Sequence, residues 1–278
     1  MLKTGLFVLT TAAIAVLSGC ASPSPSAQGS AQSIQVASAA PLSYQGYDKI
    51  LQTYVNAQGF VDYQGLQADP QPLKDVVAQI GAVAPTTYAS WSEADKIAFL
   101  INAYNAITLE SIINQKPLKK SIKDIFGVWN FAKHTVAGET KTLDDIEHKT
   151  LRKNFNEPRI HAALVCAALS CPPLRREPYV GAKLNEQLDD QVRQWLSNER
   201  GLKIDRAQNQ VAISSIFKWF GDDWKKSYGI ADQFAGKPTE RAVLNFISRY
   251  VSPEDRSYLA QRRYKLQYLN YDWSLNRQ

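Results

Sequence analysis

Hydrophobic positions along the chain fall into three regimes. Residues 6–17 form an uncharged, mainly apolar run behind the lone positive charge of Lys3. Residues 22–40 are Ser, Pro, Ala, Gln and Gly with almost no large apolar side chain, and from Pro41 onward apolar and aromatic residues recur regularly to the C-terminus. The first run is too short for a comfortable permanent span and reads as a secretory signal. The second stretch reads as a flexible tether that carries no chemistry. The third shows no internal repeat and no second linker, so 41–278 is expected to be one domain.

Within that domain the pattern predicts helices over 47–55 and 70–80, with an extended piece at 60–63 between them and a turn at Asp69-Pro70. The best specified helix runs from Ser92 to about Asn114, because Ser92-Glu93-Ala94-Asp95 resembles a capping box. Its apolar residues point in nearly every direction, which predicts burial on most faces. Asn102 and Asn105 lie three apart on one face of this helix. A buried carboxamide without partners costs roughly 1–3 kcal/mol, so they either bond to neighbouring backbone or line a site.

Strands are expected around 128–131 and 134–136, ended by Gly138, and a helix over 143–151 bearing Asp144, Asp145, Glu147 and His148. On a helix the adjacent Glu147 and His148 point about 100° apart and are not automatic partners. Further on come an amphipathic helix at 184–196, a strand at 211–213, helices at 216–220 and 240–251, and a basic, aromatic stretch at 262–268. Asp222-Asp223 reads either as a solvated helix end or as an acid/base pair. The expected class is α+β: a mainly helical single domain with a small antiparallel sheet.

Composition adds limits. With 278 residues, 45% hydrophobic and 21% charged, the chain can bury a real core. A net charge of +6 suits an anionic surface but is too diffuse to point to nucleic acid. Leu17-Ser18-Gly19-Cys20 resembles the bacterial lipobox, which makes 1–19 a lipoprotein signal peptide and 20–40 a tether lipidated at Cys20. Residue 21 is Ala rather than the Asp that signals inner-membrane retention, so an outer-membrane lipoprotein facing the periplasm is expected. Acyl chains such as palmitate on one cysteine would anchor it durably. Expected partners are therefore the membrane, through that anchor, and an anionic envelope polymer or a protein, with no nucleic acid.

The remaining two cysteines stand in 158–174, a stretch of small and apolar residues broken by Arg159, His161, Cys166, Ser170 and Cys171. Five positions span about 7.5 Å on a helix and roughly 16 Å on a strand, so a disulfide would need a bend between the cysteines. Pairing is the ordinary fate of two cysteines in an oxidising compartment. The other reading makes Cys171 a nucleophile at the corner forced by Pro172-Pro173, with His161 as base and Cys166 as a buried small hydrophobe. A metal site built from His148, His161, Cys166 and Cys171 fits no standard zinc spacing, and neither a metal nor a cofactor is expected.

Residues 98–106, the run Leu143-Asp144-Asp145-Ile146-Glu147-His148, and 159–166 with Ser170-Cys171-Pro172-Pro173-Leu174 together resemble the domain of unknown function 547 family. Residues 215–220 and 271–276 are similar to its late motifs, so the resemblance covers roughly 45–276. Leu100 stands where that family favours tryptophan. The resemblance implies that Asn102, Asn105, Glu147, His148, Arg159, His161, Cys166, Cys171 and Asp272 belong to motifs held together in the fold. A distant kinship with papain-like or transglutaminase-like folds is compatible with such a set, although histidine precedes cysteine here.

The function expected is a thiol-dependent hydrolase or acyl transferase acting on an amide in the cell envelope. Cys171 is the nucleophile, His161 the base, Asp272 or an asparagine the orienter, and Asn102 or Asn105 an oxyanion donor. The alternative is a non-enzymatic periplasmic binding or assembly lipoprotein.

Overall fold

The computed structural model describes Leu2, residues 40–229 and residues 231–278. The expected signal peptide, lipobox and most of the tether lie outside the described residues. The described residues from 40 onward form one compact unit with its own hydrophobic cores, the anatomy of a domain that folds on its own.

The first core is helical. Helices α1 (Gln45–Tyr54), α2 (Tyr63–Ala68), α3 (Gln71–Ala82) and α4 (Pro85–Ser90) surround α5 (Glu93–Ile113). Ser92 caps α5 as expected, its hydroxyl accepting the Asp95 N–H at 3.1 Å. From Ile97 to Leu109 every residue of α5 is buried, which is what an apolar pattern on all faces requires.

The hairpin differs from expectation in one strand. β1 (His134–Val136) pairs antiparallel with β2 (Glu139–Lys141) across Ala137 and Gly138, both at positive φ. Residues 128–131 are not a strand but a turn, because Gly127 adopts φ +64° and its carbonyl accepts the N–H groups of Phe131 and Ala132. The expected helix at 143–151 is a π-helix over Asp145–Leu151, continued by α6 (Arg152–Asn154) and then α7 (Ile160–Ala163).

The second core is built by α8 (Leu184–Leu196), β3 (Leu202–Asp205), β4 (Gln210–Ile213), α9 (Ser215–Phe220), α10 (Asp222–Tyr228), α11 (Pro238–Ile247), α12 (Pro253–Ala260) and β5 (Lys265–Tyr268). β3 and β4 are antiparallel, but β5 joins β4 in parallel, so this sheet is mixed. The architecture is a mainly helical α+β domain with two small sheets. From β5 the chain returns to the first core. Residues 272–276 run beside 167–170, with Leu169 N–H donating to Ser274 carbonyl at 2.6 Å and Asn276 N–H to Ala167 carbonyl at 3.0 Å. No described helix is long and apolar enough to cross a membrane.

Candidate functional site

The two cores meet around a cavity of about 200 Å³. The π-helix, α7, the two cysteines, α9 and the returning C-terminal segment all contribute walls.

Backbone clamps fix the cysteine segment. Asn105 donates to the Ala163 carbonyl at 2.9 Å and accepts the Val165 N–H at 2.9 Å, pinning the chain just before Cys166. Asn102 does the same for Tyr179, donating to its carbonyl at 2.7 Å and accepting its N–H at 2.9 Å. Both carboxamides are therefore spent on backbone, and the oxyanion role expected for them is corrected. A reciprocal pair of this kind satisfies both amide atoms in a setting where an open group would be costly.

After Val165 the chain bends at Ala167, whose φ is +62°, and Cys166 and Cys171 come to 6.3 Å between Cα atoms and form a disulfide. This is the bend that bridging demanded. The Cys166 N–H lies 3.1 Å from Cys171 Sγ, and the Tyr271 hydroxyl lies 3.2 Å from Cys171 Sγ and 3.4 Å from Cys166 Sγ. In this form Cys171 is no free nucleophile, which corrects that expectation for the oxidised state.

His161 is buried, its ring stacked on Phe220 at 4.5 Å and tilted against Trp224 at 5.1 Å. Its Nε2 lies 2.8 Å from Asp223 Oδ2. The orienting carboxylate is thus Asp223, and Asp272 is corrected. Asp272 is exposed and accepts from the backbone and hydroxyl of Ser274 in an Asx turn, outside the cavity that holds the imidazole. Burial raises the Asp223 carboxyl, but hydrogen bonds from His161 and Arg152 outweigh it and hold the group well below the usual carboxylate range. An ionised Asp223 only accepts, so the proton sits on Nε2 and Nδ1 carries the lone pair. Burial lowers the His161 pKa despite its carboxylate partner.

Arg152 binds the same carboxylate through Nε at 2.6 Å and Nη2 at 3.0 Å, and its Nη1 lies 3.1 Å from His148 Nδ1. The wide turn of the π-helix lines up side chains four apart, so Asp144, His148 and Arg152 form a row, with Asp144 3.7 Å from His148. Glu147 lies 3.8 Å from the same imidazole despite being its sequence neighbour. Burial pushes the Glu147 carboxyl up to about 7, against a hydrogen bond from Tyr104 and the charge of Arg152 that favour ionisation. Burial also lowers the His148 pKa, helped by Arg152.

Arg159 stands apart from this cavity. It is bound to Glu157 at 2.6 Å, Asp189 at 2.7 Å and the Asn185 side chain at 2.8 Å, which makes it an anchor between α7 and α8. Trp129, Trp219, Tyr271 and Trp273 form the aromatic mouth, Trp219 stacking on Trp273 at 5.8 Å and packing on Tyr271 at 4.8 Å. Among the described residues no group of three or more His, Cys, Asp or Glu side chains is arranged to hold a metal ion.

The structure thus brings Glu147, His148, His161, Cys166 and Cys171 to one cavity, and leaves Arg159 and Asp272 outside it. Sequence reading missed Arg152, Tyr104 and Tyr271 as site groups. It flagged Asp223 only as half of an acidic pair, of which Asp222 proves to be the solvated member, bound to Lys225 at 2.7 Å.

No curated protein and no solved structure matches the chain. Residues 88–196 match the family described as "Protein of unknown function, DUF547", the family that the motifs from residue 98 to residue 174 resemble.

Proposed function

We propose that the chain is a cell-envelope lipoprotein, lipidated at Cys20, whose cavity is a thiol-dependent hydrolase or acyl-transfer site for an amide. One observation carries the catalytic reading: paired sulfurs, a carboxylate-held imidazole and a carboxyl that titrates near neutrality open onto a single cavity.

The acting form is the dithiol. An external dithiol gives two electrons and two protons to the Cys166–Cys171 bond and becomes a disulfide itself. Cys171 is the nucleophile because its sulfur faces the Cys166 N–H and the Tyr271 hydroxyl, donors that favour a thiolate. Its proton passes to His161 Nδ1, the sulfur attacks the amide carbon, and the C–N bond breaks as the nitrogen takes that proton. Water or an amine then attacks the thioester, giving its proton to Nδ1, and the departing sulfur recovers it as Cys171 thiol. Neutral Glu147 is the group suited to donate to the developing oxyanion, in place of the two asparagines.

The test is alkylation of residues 40–278 with iodoacetamide from pH 5 to 8, with and without dithiothreitol, read by peptide mass. The proposal expects Cys171 in the reduced protein to label fastest, already near pH 6, and His161→Ala to slow it. Labelling of neither cysteine until unfolding, or no effect of His161→Ala, overturns it. The aromatic walls and the closed disulfide favour a second reading, a non-enzymatic binding lipoprotein, which that negative outcome would support. For the anchor, the N-terminal peptide mass of the envelope-purified chain should begin at an acylated Cys20, and Cys20→Ser should abolish this.

A further inference from the structure

The turn that replaces the expected strand at 128–131 buries Val128, while Phe126 and Phe131 at its two ends are exposed. Phe126 is 92% exposed and Phe131 65% exposed, yet their rings stack on one another at 5.7 Å and 6°. The pair is held by the chain fold at Gly127, where Phe131 and Ala132 both donate to the Gly127 carbonyl. Two large apolar groups in water at one rigid tip call for an explanation beyond the ordinary scatter of surface hydrophobes.

The same segment of chain, 116–133, carries Lys116, Lys119, Lys120, Lys123 and Lys133, all exposed, and among the described residues none of the five forms an ion pair. The single acid of residues 116–133 is Asp124, and its carboxylate accepts the Ser121 N–H of its own turn. The inner face of the same segment is the cavity mouth: Trp129 lines it, and Lys123 lies 5.3 Å over the ring of Trp273. Trp219, 45% exposed, continues the aromatic edge across the opening.

We propose that residues 116–133 dock this domain on an anionic lipid bilayer, Phe126 and Phe131 entering the headgroup boundary while the lysines meet lipid phosphates. Lipid is favoured over a soluble polyanion because charge alone would leave the two phenyl rings in water, whereas a bilayer interface accepts both. The inference rests on this segment alone and stands whether or not the cavity is catalytic.

The test is sedimentation of residues 40–278 with phosphatidylcholine vesicles containing or lacking phosphatidylglycerol, at low and high salt. The protein is expected to partition onto the anionic vesicles and to be released by salt. Phe126→Ser with Phe131→Ser is expected to lower the partition coefficient at least about tenfold, and Lys119→Ser or Lys120→Ser about fivefold each. Both rings are exposed, so unchanged circular dichroism and melting should accompany the loss, and Phe126→Trp should retain binding with a blue-shifted emission. No partition onto either vesicle overturns the proposal. So does binding that the double phenylalanine variant retains, or a concentration-dependent dimer that this variant abolishes in the absence of any vesicle binding.

Discussion

Asp223 on α10 reaches His161 on α7 across the junction of the two cores, with 2.8 Å between Oδ2 and Nε2, and Arg152 grips the same carboxylate from the other side. One carboxylate therefore fixes the tautomer of a buried imidazole and neutralises a guanidinium. Removing it leaves the imidazole Nε2 without its acceptor and the guanidinium without its counter-charge in a poorly solvated place. Asp223→Ala should destabilise the domain by about 2–4 kcal/mol in urea unfolding. Asp223→Asn should cost less, and nitrogen NMR should then find a mixed His161 tautomer. Asp272→Ala should lose under about 1 kcal/mol, since that side chain only closes an exposed turn. Equal losses at 223 and 272 would show that the assignment of the orienting carboxylate is wrong.

Asn105 ties α5 to the cysteine segment through two backbone bonds of 2.9 Å. Asn105→Ala leaves the Ala163 carbonyl and the Val165 N–H open in a buried setting. Thermal or urea unfolding should register about 2–4 kcal/mol. The segment it releases leads directly into Cys166, so the disulfide of the variant should be reduced faster by dithiothreitol than that of the parent. A variant with parental stability and parental reduction rate would show that the clamp is dispensable.

Helix positions were legible where burial on one face leaves a periodic trace, as in α8, and where a cap marks the start of a long apolar run, as at Ser92 before α5. The strand expected at 128–131 failed because Val128, Trp129 and Phe131 carry strand propensity while Gly127 turns the backbone, and local propensity does not report the turn. The π-helix was read as an ordinary helix, since one extra residue per turn leaves no compositional mark. Of the site, the residues unusual in type were found: Glu147, His148, His161 and the cysteines. Arg152 was not, and Asp223 was read only as half of an acidic pair with no partner assigned, because an aspartate 62 positions from its histidine is linked to it only by how two separate cores meet.

The disulfide closes a short loop, so its contribution is bounded by the little chain entropy such a loop can remove. About 2 kcal/mol is expected from closure of five intervening bonds of sequence. The native protein should show no free thiol at 166 or 171, gain two hydrogens by intact mass on reduction, and melt a few degrees lower afterwards. Cys166→Ser and Cys171→Ser should each reproduce the shift, and the Tyr271 hydroxyl, 3.2–3.4 Å from the two sulfurs, offers either serine a partner. Full reactivity of both thiols in protein from an oxidising compartment would contradict the bridge.

Glu147 gives the sharpest dependence on pH. Its side chain keeps 13% exposure to the cavity, and burial raises its carboxyl from 4.5 to about 7. Between those values the folded protein holds a proton that the unfolded chain has released, so stability falls as pH rises. The contribution is complete below about 4.5 and is lost by the time the folded group ionises near 7. It amounts to about 3 kcal/mol. Glu147→Gln removes this titration while keeping a donor for the cavity. Urea unfolding from pH 4 to 8 should therefore show the variant overtaking the parent as pH rises, with the gap opening between pH 5 and 7. Parallel profiles for the two proteins would mean that Glu147 ionises at its ordinary value, and the neutral donor assigned to the cavity would be lost with it.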